Sequence, residues 1–427
     1  MAMKNWIGHV AATGAAKEFG IATGELEILD DASICSTPGI AAAGTHAGVK
    51  AEGALDLALV DAGVVCNSAG VFTSNRAKAA PVLVSIDHLA DGKARGIAAN
   101  SGCANACTGE RGVEDSIAMT AAAADLFACA PSQVLVASTG LIGFYLPIAA
   151  VTSGISGATL GTDSQCGHAA ARAIMTTDTV PKEAAVKTSV GGKEVTVSGM
   201  AKGAAMLAPS MATMLGFITT DASIEADVLQ VALRSAVAST FNRISVDACQ
   251  STNDTVVALA TGTAGNQTID TPGAPGFLEV GDAISEVCAQ LALKMVCDGE
   301  GATKVARIAV NGAASASDAL AVARAIASSV LVRCSLHGAD PYWGRIASEI
   351  GASGADEVRP ELVSISYGGT AVAAKGVAIP HDEDLVREHM AKPIVEIVCD
   401  LGLGDGSSVM FSCDLGPGYI EENRGTS

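Results

Sequence analysis

The chain has 427 residues, a formal net charge of −19, 49% hydrophobic residues but only 3% aromatic ones, and 47 glycines. That length exceeds what a single core normally fills, so two domains or one large layered body are expected, with a core of Ala, Val, Ile and Leu. The acidic balance argues against nucleic acid and anionic membrane surfaces as partners.

Residues 1–40 carry little pattern, and the first twenty lack the apolar block of a signal peptide, so a cytoplasmic protein is expected. The 12 cysteines are scattered, mostly in apolar contexts, with no histidine near the closest pair, Cys103 and Cys107. They read as small core residues in a reducing compartment, and no zinc or other metal site is expected. Strands are expected at 56–60, 81–84 and 96–100, and a strand and loop at 62–74. A polar, glycine-bounded loop follows at 100–109, then a helix at 112–129. The stretch 126–162 has no charge for 37 positions. It would be long enough to span a bilayer, but Pro131, Pro147 and several glycines break it, so it reads as buried backbone around a site. A short strand at 133–137 runs into Ser138, Thr139 and Gly140, where backbone N–H groups at a strand end have the geometry an oxyanion site needs. A helix is expected at 164–175, then a hairpin turning at 191–194.

The run 200–222, MAKGAAMLAPSMATMLGFITTDA, holds one charge, Lys202, before Asp221. A small residue followed by Thr inside such a run, here Ala212-Thr213, is a possible self-cleavage site. The Thr hydroxyl attacks the preceding carbonyl, the peptide shifts from nitrogen to oxygen, and water releases the ester. The new α-amino group of Thr213 then lies within reach of its own hydroxyl and acts as its base. Its reference pKa of about 7.7–8.0 leaves a useful unprotonated fraction near neutral pH. Past it, helices are expected at 224–240, at 282–296 and, capped by Ser317 or Asp318, up to about 328. Strands are expected at 255–260, 305–310, 362–367 and 394–401. A glycine loop at 298–304 carries two carboxylates, and a loop at 337–345 leads into a helix. Recurring strands and helices make the class α/β, with layered sheets and helices outside.

The segment 202–222 (KGAAMLAPSMATMLGFITTDA) resembles the self-cleavage segment of the ornithine acetyltransferase, or glutamate N-acetyltransferase, family. Further stretches resemble that family's motifs in family order: 70–81 (GVFTSNRAKAAP), 100–109 (NSGCANACTG), 138–143 (STGLIG), 174–179 (IMTTDT), 241–247 (FNRISVD), 251–255 (STNDT), 298–304 (DGEGATK) and 338–345 (GADPYWGR). The resemblance runs from about residue 39 to the C-terminus. It implies a DmpA-type layered fold and self-cleavage into 1–212 and 213–427, halves that stay together as one intertwined body, expected as α2β2. It also implies transfer of an acetyl group from N-acetylornithine to glutamate through acetyl-Thr213, with no cofactor. By position, Thr139 and Gly140 would form the oxyanion hole. Thr176, Lys202, Thr213, Glu300, Asn423 and Thr426 would contact substrate. Read from the residues alone, Lys202 is a solvated strand-end lysine, Glu300 either a loop carboxylate satisfied by backbone N–H groups or a receiver for a cationic substrate end, and Asn423 part of a frayed tail. The chain has Cys103 where the family has Asn, Ala204 and Ala205 for Ser-Gly, Ser210 for Asn, and Ala248-Cys249 for Gly-Asp. These departures keep two alternatives open: an N-terminal-threonine amidohydrolase or acyltransferase with other substrates, and an unprocessed binding protein.

Overall fold

The computed structural model describes residues 2–51, 53–207 and 214–425. Up to residue 207 the elements are α1 (Ala2–Thr13), β1 (Glu27–Ile28), β2 (Ala41–Thr45), β3 (Leu57–Phe72), α2 (Ala80–His88), β4 (Lys93–Cys103), α3 (Gly109–Phe127), β5 (Val134–Leu141), α4 (Ile148–Ser156), α5 (Ser164–Ala173), β6 (Lys182–Val190) and β7 (Lys193–Lys202). After residue 213 come β8 (Leu215–Thr220), α6 (Ala226–Ser239), β9 (Ile244–Ser245), β10 (Thr255–Ala260), α7 (Phe277–Cys297), β11 (Val305–Ala313), α8 (Ala316–Ser328), α9 (Val330–His337) and α10 (Gly344–Ala352). The chain ends with β12 (Ser364–Tyr367), β13 (Thr370–Ala374), β14 (Val377–Ala378), α11 (Glu383–Met390), β15 (Ile394–Asp400), β16 (Gly406–Cys413) and α12 (Pro417–Glu422).

These form two sheets flanked by helices, the layered α/β class expected. The first sheet has nine strands in the order β1-β6-β7-β8-β10-β3-β4-β5, with β2 paired to β3. β10 lies parallel to β8, Thr255 opposite Leu215, and antiparallel to β3, Thr255 opposite Phe72. Strands from before and after residues 208–213 therefore share one ladder. Alternation along the strands sends successive side chains to opposite faces. Ala58, Val60, Ile97 and Ala99 pack with Ala170 and Ala171 of α5. Leu57, Leu59 and Ala98 pack with Met119 and Ala123 of α3 and Val151 of α4. These are small aliphatic contacts, as the low aromatic content requires.

The second sheet runs β14-β13-β12-β15-β11-β16-β9. One face meets Val322, Ala323 and Ile326 of α8 through Ile308, Val310 and Met410. The other face, through Val305, Phe411 and Cys413, joins the core that α7 makes with Val186 and Val197 of the first sheet. α7 thus lies between the sheets, and the loop leaving it at Asp298 is delivered to the end of the hairpin β6–β7. Among the described residues no single helix is long and apolar enough to cross a membrane. The bent pair α8 and α9 reaches that length together, across 58°.

The structure departs from the sequence expectation in several places. Residues 81–84 are helical, in α2, because Pro81 occupies the first turn, where its missing N–H is no loss. The stretch 62–74 mostly continues β3 rather than starting a new strand. The third expected helix is capped by Ser315, whose hydroxyl accepts the Asp318 N–H at 3.1 Å, not by Ser317 or Asp318. The uncharged run 126–162 is buried only in part: Val134–Thr139 of β5 and Val151 and Ile155 of α4 are covered, but Ile142, Phe144 and Tyr145 between them are exposed. Helices α1, α4, α9, α11 and α12 and strands β1, β2, β8, β9, β13, β14 and β16 had no sequence counterpart.

Candidate active site

Three of the expected residues meet at one side chain. Lys202, the last residue of β7, donates from Nζ to Thr139 Oγ1 at 3.1 Å and to Thr176 Oγ1 at 2.7 Å. Thr139 is carried by β5 and Thr176 by the turn after α5. The solvated strand-end lysine read from the residues alone is overturned, since Lys202 is 2% exposed. β7 is an inner strand, between β6 and β8, so even its last residue stays covered. Both contacts are neutral hydroxyls. Burial pulls the ammonium below its ordinary pKa of 10.5; Asp178 opposes this, and Lys182 and Lys50 add to it.

Asp178 holds this corner together. Its Oδ2 accepts the Thr176 N–H at 3.0 Å, and its Oδ1 accepts the Gly203 N–H at 2.7 Å and Lys182 Nζ at 2.6 Å. Lys182, fully buried, also lies 2.6 Å from Asp298 Oδ2. Burial alone would raise the Asp178 pKa, but Lys182 and Lys202 overcome it and hold the group at about 2. One carboxylate thereby fixes Thr176 and the chain leaving Lys202 in a common frame.

Gly140 lies where β4 and β5 pair in parallel, opposite Gly102, and the register slips at Cys103. At its φ of +129° a Cβ would sit 2.3 Å from the Gly102 carbonyl carbon and 2.6 Å from the Cys103 nitrogen. Those neighbours are backbone and cannot turn aside, so the position admits only glycine. Buried Asn253 pins the same strand end: its Nδ2 donates to the carbonyls of Ala104 at 2.6 Å and Ser138 at 2.9 Å.

Glu300 is reached one step along from Lys202, through its N–H to the Ala204 carbonyl at 2.8 Å. Its Oε2 accepts Asn423 Nδ2 at 2.7 Å, and Asn423 also donates to the Tyr419 carbonyl at 2.9 Å. The residue-only expectations are corrected here too. The carboxylate takes a side-chain amide rather than backbone N–H groups, and Asn423 is held at the end of α12 rather than frayed. A cavity of about 470 Å³ opens beside Glu300, with Asp298, Lys294 and Glu422 in its walls; Lys202, Thr139 and Thr176 do not line it.

Ala212, Thr213 and Thr426 lie outside the described residues. The chain on either side of 208–213 is held by a single stretch, 246–255. The Asp247 carboxylate accepts the N–H groups of Met206 and Leu207, and the Val246 N–H donates to the Leu207 carbonyl at 2.8 Å. Asp254 Oδ1 accepts the Met214 N–H at 2.9 Å, and the Thr255 N–H donates to the Met214 carbonyl at 3.1 Å. Asp254 is fully buried, and its Oδ2 has no hydrogen-bond partner among the described residues. Burial pushes its pKa well above 3.8. Asp178, Asp247 and Asp254 carry no role from sequence alone, although each lies in a motif noted there. Ala248, where the family pattern has glycine, takes a left-handed φ of 61°. Among the described residues no three His, Cys, Asp or Glu side chains gather in a way that could hold a metal ion.

A profile of the ArgJ family matches residues 41–425. The arginine biosynthesis bifunctional protein ArgJ of Symbiobacterium thermophilum is 42% identical over 392 residues, covering 91% of this chain and 97% of that protein. The protein of the same name from Streptomyces coelicolor is 43% identical over 396 residues, covering 92% of this chain and 100% of that one. Among solved structures, an ornithine acetyltransferase of Mycobacterium tuberculosis complexed with ornithine is 43% identical. That match covers 44% of this chain and 99% of that one, with a TM-score of 0.42.

Proposed function

The chain belongs to the ArgJ family, and from that premise we propose that it is a glutamate N-acetyltransferase of arginine biosynthesis, activated by its own cleavage between Ala212 and Thr213. The observation that carries this is the Lys202 cluster: a buried ammonium, bonded among the described residues to Thr139 and Thr176 alone, beside a strand end that admits only glycine.

In processing, Thr213 Oγ attacks the Ala212 carbonyl. The C–N bond breaks, the α-nitrogen takes up the hydroxyl proton, and water hydrolyses the resulting ester. The 246–255 stretch, bonded to the chain on both sides of the bond, supports a geometry held in place during that attack. In transfer, the Thr213 amine takes the hydroxyl proton as Oγ adds to the acetyl carbonyl of N2-acetyl-L-ornithine. The oxyanion is met by backbone N–H groups at Thr139 and Gly140. The same proton passes to the departing ornithine amine, leaving acetyl-Thr213. Glutamate then attacks in the reverse sense and leaves as N-acetylglutamate, which makes the kinetics ping-pong. Lys202 takes the substrate α-carboxylate, Thr176 helps orient it, and Glu300 with Asn423 and Thr426 receives the cationic end of ornithine. No step calls for a cofactor. The interleaving of β8 and β10 with β7 and β3 supports halves 1–212 and 213–427 that remain one body after cleavage, assembled as α2β2 in the cytoplasm.

Denaturing intact mass tests this beside Thr213→Ala. Two wild-type fragments ending at Ala212 and beginning at Thr213, with the variant whole, are expected. Addition of N-acetylornithine should then add one acetyl mass to the C-terminal fragment alone. A wild type that stays whole defeats the processing reading, and acetyl release that glutamate does not accelerate points to an amidohydrolase.

A further inference from the structure

The cavity beside Glu300 has one basic residue among its described walls, Lys294, against three acidic ones, Asp298, Glu300 and Glu422. Asp298 is already paired with Lys182 at 2.6 Å. Among the described residues Glu300 accepts the Asn423 amide alone, and Glu422 the Gly301 backbone N–H at 3.3 Å. The uncompensated charge of that wall is therefore negative. Lys294 stands in the last turn of α7, and its Nζ donates to the Glu183 backbone carbonyl. Of the Glu183 carboxylate, Oε2 is engaged elsewhere, 2.8 Å from His168 Nδ1, while Oε1 is buried with no hydrogen-bond partner among the described residues. An ammonium has three donors, so two remain uncommitted among the described residues. Burial draws Lys294 down to about 8 against the pull of Glu183, so the cation persists at neutral pH but has no direct carboxylate partner among the described residues.

An enzyme that passes an acyl group through one nucleophile must admit its donor amine and its acceptor amine to the same place in turn. In the reading above, ornithine ends in an ammonium and glutamate in a carboxylate. A wall with only Glu300 and Glu422 attracts the first and repels the second, in a chain that already carries −19. We propose that Lys294 admits the acidic substrate by binding the side-chain carboxylate of glutamate, while Glu300, held by Asn423, serves the cationic donor from the same cavity. One cavity then reads both charges without rearranging. This inference rests on the acetyltransferase reading.

The test uses the full-length, self-processed protein with Lys294→Met, which removes charge and donor, and Lys294→Gln, which keeps a donor for the Glu183 carbonyl. Melting curves establish that each is folded, and if Lys294→Met is not, Lys294→Gln decides alone. The KM for glutamate is expected to rise about 10- to 100-fold, the worth of one charged hydrogen bond, while the KM for N-acetylornithine in the ornithine-releasing half-reaction moves less than about threefold. Lys294→Arg should restore part of the glutamate affinity. Equal shifts for both substrates, or none for glutamate, overturn the proposal. Calorimetric titration with glutamate and with ornithine separates it from the wider reading. A wild type that binds both but forms no acetyl-enzyme defeats the acetyltransferase, and the glutamate Kd of Lys294→Gln still decides what Lys294 does. A wild type that binds neither defeats both.

Discussion

Lys202→Met separates what a buried lysine does for the fold from what it does for a substrate. Withdrawing an ammonium from water costs several kcal/mol even after the protein relaxes around it. The contacts to Thr139 at 3.1 Å and Thr176 at 2.7 Å offset this by about 1.5–3 kcal/mol each. Methionine has similar length and no charge, so the cost and the contacts vanish together. The folded state should change by less than about 2 kcal/mol in either direction. Activity follows a different arithmetic. The substrate carboxylate loses a charge-assisted hydrogen bond worth about 1.5–3 kcal/mol. At about 1.4 kcal/mol per decade, that is a fall in kcat/KM of about 10- to 150-fold. The assay is acetyl transfer from N-acetylornithine to glutamate, run beside a thermal melt on the same preparation and corrected for any unprocessed chain. Wild-type turnover in a folded variant refutes the reasoning. So does a melting temperature that collapses along with activity, because the lysine is then a structural strut.

Two further outcomes follow from the carboxylates around it. Asp178 sits at about 2 when folded, against an ordinary 3.8. The group therefore stabilises the fold in full above about pH 4, and that contribution, about 2 kcal/mol, is lost as pH falls through 3.8 toward 2. Asp178→Asn should flatten the fall of melting temperature over that acid window, and an unchanged slope counts against the Lys182–Asp178 pairing as its source. Asp254→Ala leaves the buried Met214 N–H without its acceptor, a loss of about 1–3 kcal/mol. It should melt lower and self-cleave more slowly by intact mass. Asp254→Asn, which retains an acceptor oxygen, should fall between it and the wild type. Equal processing in all three would mean that the chain beyond the cleavage bond is positioned by something other than Asp254.

What sequence disclosed about this fold divides by the range of the forces involved. β4, β10, β11 and the hairpin β6–β7 were legible because alternation and turn residues act within a few positions. Pro81 misled because its apolar neighbours fit a short strand as well as a first helical turn, and periodicity over four residues cannot separate them. The site divides in the same way. Thr139, Thr176, Lys202, Glu300 and Asn423 were nominated through resemblance, and a chemistry could be proposed for each, but not their burial. Nothing local to the end of β7 says that β6 and β8 will flank it and that the lysine will be a buried ammonium bonded to the hydroxyls of Thr139 and Thr176. Asp178, Asp247 and Asp254 were invisible as functional groups because each acts on a backbone N–H 25 to 41 positions away. Such a bond exists only after two distant strands have paired. Gly140 shows the same dependence most sharply. A Thr-Gly pair is commonplace, and what excludes every other residue is the backbone of Gly102 and Cys103, brought within 2.3–2.6 Å of a Cβ by the β4–β5 register. The reactive groups are thus local choices, while the field that gives them function is a property of the sheet.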